Sequence, residues 1–137
     1  MVKLEHANLS VENIEEVERF ILTAFPDFRR RGDGSDMQGR PWRHVGNDDF
    51  YVALQTVPEN GHRTPYGNVT GLNHLGWEVD DLSGLEARMK AAGFEPNLEA
   101  DEHPARNRRY FHDPDGNDWE FVQYLVADVA ERNDYQR

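Results

Sequence analysis

Two histidines, His6 and His74, stand 68 positions apart inside stretches that repeat one another. Residues 4–13, LEHANLSVEN, run in step with residues 72–81, LNHLGWEVDD. Under that offset Leu4 falls on Leu72, Val11 on Val79, Ile14 on Leu82 and Glu18 on Glu86. Two modules related by a pseudo-twofold would carry the two imidazoles to equivalent places. A third group, Glu120, sits on the strand expected to close the second module. Two neutral imidazoles and one carboxylate are the donor set that suits a divalent first-row metal with coordination positions left open. A lone histidine on a strand is ordinarily a hydrogen-bonded polar residue. Two at repeat-equivalent positions, with a carboxylate expected on the same face, make a metal centre the sharper reading.

The elements that must position these groups can be read from periodicity. Residues 3–11 alternate, with Leu4, His6, Asn8 and Ser10 on one face and Ala7, Leu9 and Val11 on the other. A helix follows at once: Asn13 with Glu16 three positions later gives a capping-box-like start, and Ile14, Val17, Phe20 and Ile21 recur at helical spacing. Pro26 stops it. The apolar strand face packs on that helix, so His6 points to the opposite side of its sheet. Strands are expected near 28–31, 41–45 and 49–56, with a Gly- and Asp-rich turn over 32–39. The first module, about 3–56, is therefore βαβββ. Residues 57–70 carry two prolines and two glycines without periodicity and read as a linker.

The second module, about 71–125, repeats the plan. Leu75, Trp77 and Val79 face a helix that Asp81 starts and Gly93 stops, which turns His74 the other way. A short strand near 94–96 and strands at 108–112 and 118–124 complete it. Asp113-Pro114-Asp115-Gly116 has the residue preferences of a type I turn. Trp119 and Phe121 take the helix side, so Glu120 shares the side of His74. The polar tail, 126–137, reads as a frayed helix.

Composition narrows the chemistry. The formal charge of −11 argues against nucleic acid and anionic membrane as partners. The chain has no cysteine, so a metal must be held by imidazole, carboxylate, amide, phenol or water. With no apolar run long enough for a membrane span and no leader-like start, the chain reads as soluble and cytoplasmic. At 137 residues it reads as a single domain of two half-modules, its core supplied by seven Phe, five Tyr and three Trp.

A fourth metal ligand would come from the first-module counterpart of Glu120. Aligning DFYVALQ with NDWEFVQY leaves Tyr51, Ala53 and Gln55 open, all on the face of His6. Ala53 cannot ligate; Gln55 can, through its amide oxygen. Tyr110 and His112 alternate outward on the strand before Glu120, and His103 lies on the loop before that. A tyrosine and a histidine beside a metal could supply protons.

Three stretches, LEHANLSV, NHLGWEVDDL and RYFHDPDGNDWEFV, make the chain resemble the vicinal oxygen chelate superfamily, which holds glyoxalase I, methylmalonyl-CoA epimerase, extradiol dioxygenases and the fosfomycin and bleomycin resistance proteins. The resemblance spans about residues 3 to 125. It implies an α+β fold in which two βαβββ modules pair into a cupped, incomplete β-barrel with helices outside. It implies one divalent metal per chain (Ni, Co, Zn, Mn or Fe(II)) on His6, His74 and Glu120, with Gln55 as the nearest candidate for the Glu or Gln that some members add. A small-molecule substrate and a homodimer are implied too. The leading activity is proton transfer of glyoxalase or epimerase type, with Glu120 as base and an enediolate stabilised by the metal.

The resemblance also carries a rival. His103, Tyr110, Asp113-Pro114, Gly116 and Glu120 fall at spacings compatible with the extradiol dioxygenase fingerprint, which implies Fe(II) chemistry with Tyr110 or His103 handling protons. Asp101 and Arg109 depart from that fingerprint, and the second paired domain usual in such enzymes is missing, so it ranks second. A resistance protein that binds a small molecule without chemistry ranks third.

Overall fold

The computed structural model describes residues 1–58 and 70–136, so most of the linker expected over 57–70 lies outside the described residues. The chain divides into two compact units, Met1–His62 and Arg63–Arg137. Each is a four-stranded open sheet with a helix on one face, an α+β arrangement built twice from the same βαβββ plan.

In the first unit β1 (His6–Val11) leads into α1 (Ile14–Ala24), followed by β2 (Arg29–Ser35), β3 (Pro41–Gly46) and β4 (Tyr51–Thr56). The sheet order is β1-β4-β3-β2, with β1 parallel to β4 and the other pairs antiparallel. The helix starts where the capping pattern predicts, with Asn13 Oδ1 accepting from the Glu16 N–H at 3.2 Å. Its apolar stripe, Ile14, Val17, Phe20, Ile21 and Ala24, is buried against Leu9, Val11, Val45, Val52 and Leu54. At the same helix–sheet junction Glu18, buried, accepts from Arg30 of β2 (Oε1 2.7 Å, Oε2 2.5 Å) and from Arg43 of β3 (Oε2 2.6 Å).

The second unit runs β5 (His74–Glu78), α2 (Leu82–Ala91), β6 (Pro96–Leu98), β7 (Arg106–His112) and β8 (Asp118–Tyr124), in sheet order β5-β8-β7-β6. β5 and β8 are parallel, the mirror of β1 and β4. Asp81 Oδ1 caps α2 through the Gly84 N–H at 2.9 Å, and Gly93, at φ 89°, takes the left-handed conformation that ends it. Leu82, Leu85 and Met89 meet Phe111, Trp119 and Phe121, all buried. The turn between β7 and β8 closes with the Gly116 N–H donating to the Asp113 carbonyl at 2.9 Å. The buried Asp113 carboxylate accepts from Trp119 Nε1 at 3.1 Å and Asn117 Nδ2 at 2.9 Å.

One expectation changes. The glycines of 32–34, expected in a turn, belong to β2. Gly34 is there for Trp42: a Cβ at that position would stand 2.8 Å from the indole Cζ2. The turn itself is later, where Asp36 Oδ1 accepts from the Gln38 and Arg40 N–H groups, both at 2.9 Å. The tail, expected as a frayed helix, carries a short one. Beyond β8, a single-turn helix α3 (Val129–Arg132) is followed by residues tied back to the sheet. Arg106 Nη1 donates to the Arg132 carbonyl at 2.8 Å, Arg132 pairs with Glu78 at 2.7 Å, and the Arg132 guanidinium lies 3.7 Å from the Tyr124 ring centroid.

Candidate functional site

Strand alternation gives each sheet one face packed on its helix and one open face. On the second sheet the register sets the open face out in rows across β7, β8 and β5: His112, Asp118 and His74; then Tyr110, Glu120 and Gly76; then Arg108, Val122 and Glu78. Glu120 is thus one row along from His74, close enough for their side chains to meet. His74 Nε2 lies 3.0 Å from Glu120 Oε2. Beside them Gly76 leaves room, since a Cβ there would sit 3.9 Å from Glu120 Oε2.

The remaining atoms of both groups are engaged in ways that fix their roles. Asn73 Oδ1, an acceptor, lies 2.7 Å from His74 Nδ1 and can take the hydrogen bond of an Nδ1–H, the tautomer that presents the Nε2 lone pair to the carboxylate. Tyr110 Oη donates to Glu120 Oε1 at 2.8 Å, leaving Oε2 turned to His74. In that tautomer both groups face each other as lone-pair donors, the arrangement that a bound cation bridges. Their 3.0 Å separation is also the edge of a coordination polyhedron whose bonds are about 2.1 Å long and meet near right angles. The donor chemistry fits a divalent metal. Burial first, then the hydrogen bond and charge of Glu120, push the Tyr110 phenol up to about 12, so it remains a proton donor through the neutral range.

His6 opens β1 as His74 opens β5, and its register partner is Tyr51 where that of His74 is Asp118. Its ring stacks on Tyr51 with centroids 4.9 Å apart, and Nδ1 contacts Glu5. On its far side Tyr51 meets His44, 4.6 Å between centroids, and the Arg31 guanidinium lies over the same ring at 4.5 Å. His44 was not among the residues singled out from sequence. Burial, aided by the charges of His6 and Arg31, lowers its pKa below the ordinary imidazole value. By register it stands opposite Ala53, as Tyr110 stands opposite Glu120. Only strand pairing reveals that correspondence.

The same register answers which first-module residue corresponds to Glu120. Counting two positions past the partner of the histidine gives Glu120 in β8 and Ala53 in β4. Gln55 lies two positions further, opposite Ser10, four residues and about 13 Å along the strand from the partner of His6. Its amide nitrogen approaches Asp36 Oδ2 at 3.3 Å and the Pro41 carbonyl at 3.4 Å. The structure therefore does not bring Gln55 to His6. His103 is likewise kept apart from the pair. It is buried, its Nδ1 accepts from the Ala105 N–H at 3.1 Å, and its Nε2 lies 2.9 Å from the Asp134 carbonyl in the tail. Among the described residues no three His, Asp or Glu side chains gather as a metal-holding group; the second module supplies the pair.

A family model for the Glyoxalase/Bleomycin resistance protein/Dioxygenase superfamily matches residues 3–121. The chain belongs to this superfamily. Solved structures place the superfamily likeness in the fold. The fosfomycin resistance protein FosX from Listeria monocytogenes, in a monoclinic form at pH 6.5, is 18% identical with a TM-score of 0.74, covering 96% of this chain and 98% of that one. FosX from Mesorhizobium loti is 20% identical, TM-score 0.69, over 96% and 98%. A glyoxalase family protein from Enterococcus faecalis is 17% identical, TM-score 0.73, over 88% and 96%. No curated protein matches the chain. No helix among the described residues is long and apolar enough to cross a membrane.

Proposed function

We propose that the chain is a metal-dependent enzyme that moves a proton on a small oxygenated substrate, with His74 and Glu120 as two protein ligands of one divalent cation and His6 as the third. The observation that carries this reading is the approach of His74 Nε2 to Glu120 Oε2, with Asn73 and Tyr110 holding the atoms behind them. Such outer partners fix ring tautomer and carboxylate orientation in metal centres. The repeat supports His6, which has the same strand position and the same face in its own module. Ala53 in the place of a fourth ligand supports a three-residue set. The Listeria FosX fold relative has been crystallised with Mn(II), which supports Mn as one candidate beside Ni, Co, Zn and Fe(II). A bound cation would supply Lewis-acid polarisation of substrate oxygens.

Within this reading Glu120 is the carboxylate at the reacting centre and Tyr110 its proton-bearing neighbour, an acid–base pair that needs no oxidant. Ring cleavage by oxygen is the weaker reading. His103, which it would use, is spent on Ala105 and Asp134, and Arg109 turns toward the helix side to pair with Glu86 at 2.7 Å. We also propose a homodimer, since so short a chain leaves a modest core that a partner would extend; sedimentation as a monomer across a wide concentration range overturns that part.

The test is metal analysis of the wild-type protein and of His6→Ala, His74→Ala and Glu120→Gln. About one ion per chain, lost in all three variants, is expected; stoichiometric metal in His6→Ala and His74→Ala refutes the ligand set. Apo-protein reloaded with each metal is then assayed on 2-oxoaldehyde–thiol adducts, epimerisable acyl thioesters and catechols, with and without air. Activity confined to Fe(II), catechol and oxygen overturns proton transfer. Tight ligand binding with no turnover makes the protein a sequestering one.

A further inference from the structure

Most arginines of this acidic chain have a carboxylate. Arg30 and Arg43 hold Glu18, Arg109 holds Glu86, Arg40 holds Asp36, Arg29 holds Asp48, and Arg132 holds Glu78. Arg108 makes no ion pair with any described residue. Its side chain reaches neutral partners, the Asp101 carbonyl at 3.2 Å from Nη2 and the Tyr110 phenol, and its Nε–H is buried without an acceptor. A half-buried guanidinium with a buried, unanswered N–H and no carboxylate beside it is a costly arrangement even in a chain of net charge −11.

Its place makes that unanswered N–H informative. Arg108 stands on the open face of the second sheet, two residues before Tyr110 and one row from Glu120. Across that row come the apolar Val122 and then Glu78, whose charge Arg132 already answers. Arg108 is therefore the unanswered charge of the row beside the His74–Glu120 pair. It is close enough to Tyr110 to oppose the upward push that Glu120 exerts on the phenol.

We propose that Arg108 binds an oxyanion of the substrate, a carboxylate, phosphonate or phosphate carried next to the oxygens that meet Glu120. The planar fork of a guanidinium matches such groups with two parallel N–H donors. An acidic protein that must draw in an anion needs a local cation at the site, because its overall field is repulsive. The assignment rests on the metal-site reading above, but its test does not.

Methylphosphonate and inorganic phosphate are titrated calorimetrically into metal-free protein at low and moderate salt. Saturable binding, weaker as salt rises, is expected for the wild type and unchanged in His74→Ala. Arg108→Gln is expected to lose about tenfold or more in affinity, with Arg108→Lys, which keeps the charge but not the fork, restoring only part of it, and both variants melting as the wild type does. A merely structural arginine bracing the loop at Asp101 would give the reverse: altered melting and unaltered anion affinity. Absence of saturable anion binding to the wild type, or equal affinity in Arg108→Gln, overturns the proposal. Should Arg108→Gln fail to fold, an Arg108→Lys protein that binds no anion overturns it as well. Failure of the metal reading shows separately, in metal content, and leaves these titrations standing.

Discussion

Tyr110 is the residue on which the behaviour of Glu120 turns. A phenol that keeps its proton to about 12 is a permanent donor at neutral pH, and here it pins one carboxylate oxygen 2.8 Å away. Tyr110→Phe removes that donor and leaves a part-buried oxygen without its partner. We expect metal affinity or turnover to fall roughly 10- to 100-fold, the range found when outer partners of metal ligands are removed. Stability should fall by about 1–2 kcal/mol. A metal titration of Tyr110→Phe against a competing chelator checks this, and unchanged affinity would show that the phenol does not position the carboxylate. His103 makes the complementary point. Its type suggested chemistry, but a ring with a backbone donor on one nitrogen and a backbone acceptor on the other is a brace between a loop and the tail. His103→Ala should speed amide exchange and proteolysis across residues 127–136 while leaving metal content unchanged.

Among the elements, α1 is fastened to its sheet by charge as well as by packing. Burial works against ionisation of Glu18, but hydrogen bonds and charges from Arg30 and Arg43 outweigh it and hold the carboxyl below its ordinary value. A folded pKa below the unfolded one stabilises above the unfolded value, and that contribution is lost as pH falls through the folded one. Unfolding by urea should therefore become easier below about pH 4.5, and Glu18→Gln should flatten that part of the profile. At neutral pH the same change leaves Arg43 without its buried partner and should cost about 2–3 kcal/mol, discounted for the exposure of Arg30.

Gly46 is a second local requirement, since a Cβ there would stand 2.1 Å from the Phe50 carbonyl oxygen. Gly46→Ala forces β3 and β4 apart at their turn and should lower the melting temperature by several degrees.

Much of this architecture is legible from residues alone. The cap residues Asn13 and Asp81, the stop at Gly93 and the alternation that sends Trp119 inward and Glu120 outward are local signals. What alternation cannot give is register. It sorts Tyr51, Ala53 and Gln55 onto one face and cannot say which of them stands where Glu120 stands, because parallel partners are matched only when β1 and β4 pair. Gly32 and Gly34 misled for a related reason: the indole that requires Gly34 belongs to Trp42 on the next strand.

At the scale of the whole molecule, a strongly acidic chain that holds a cation should be steadied by it. Metal at 100 times its dissociation constant is worth about 2.7 kcal/mol through mass action alone. Thermal melts with and without added Mn(II) or Ni(II) should separate by several degrees for the wild type and coincide for Glu120→Gln. Stabilisation of both proteins alike would mean that the ion acts on surface carboxylates instead.

The docked tail gives the second sheet something close to a ruler. Arg132, laid on Tyr124 and held by Glu78, whose register partner is Val122, stands across the open face two to four residues beyond Glu120 on β8. A molecule seated at Glu120 and extended along that strand has about 7 to 13 Å of travel before it meets the guanidinium. Past that length it must turn off the sheet or lift the tail.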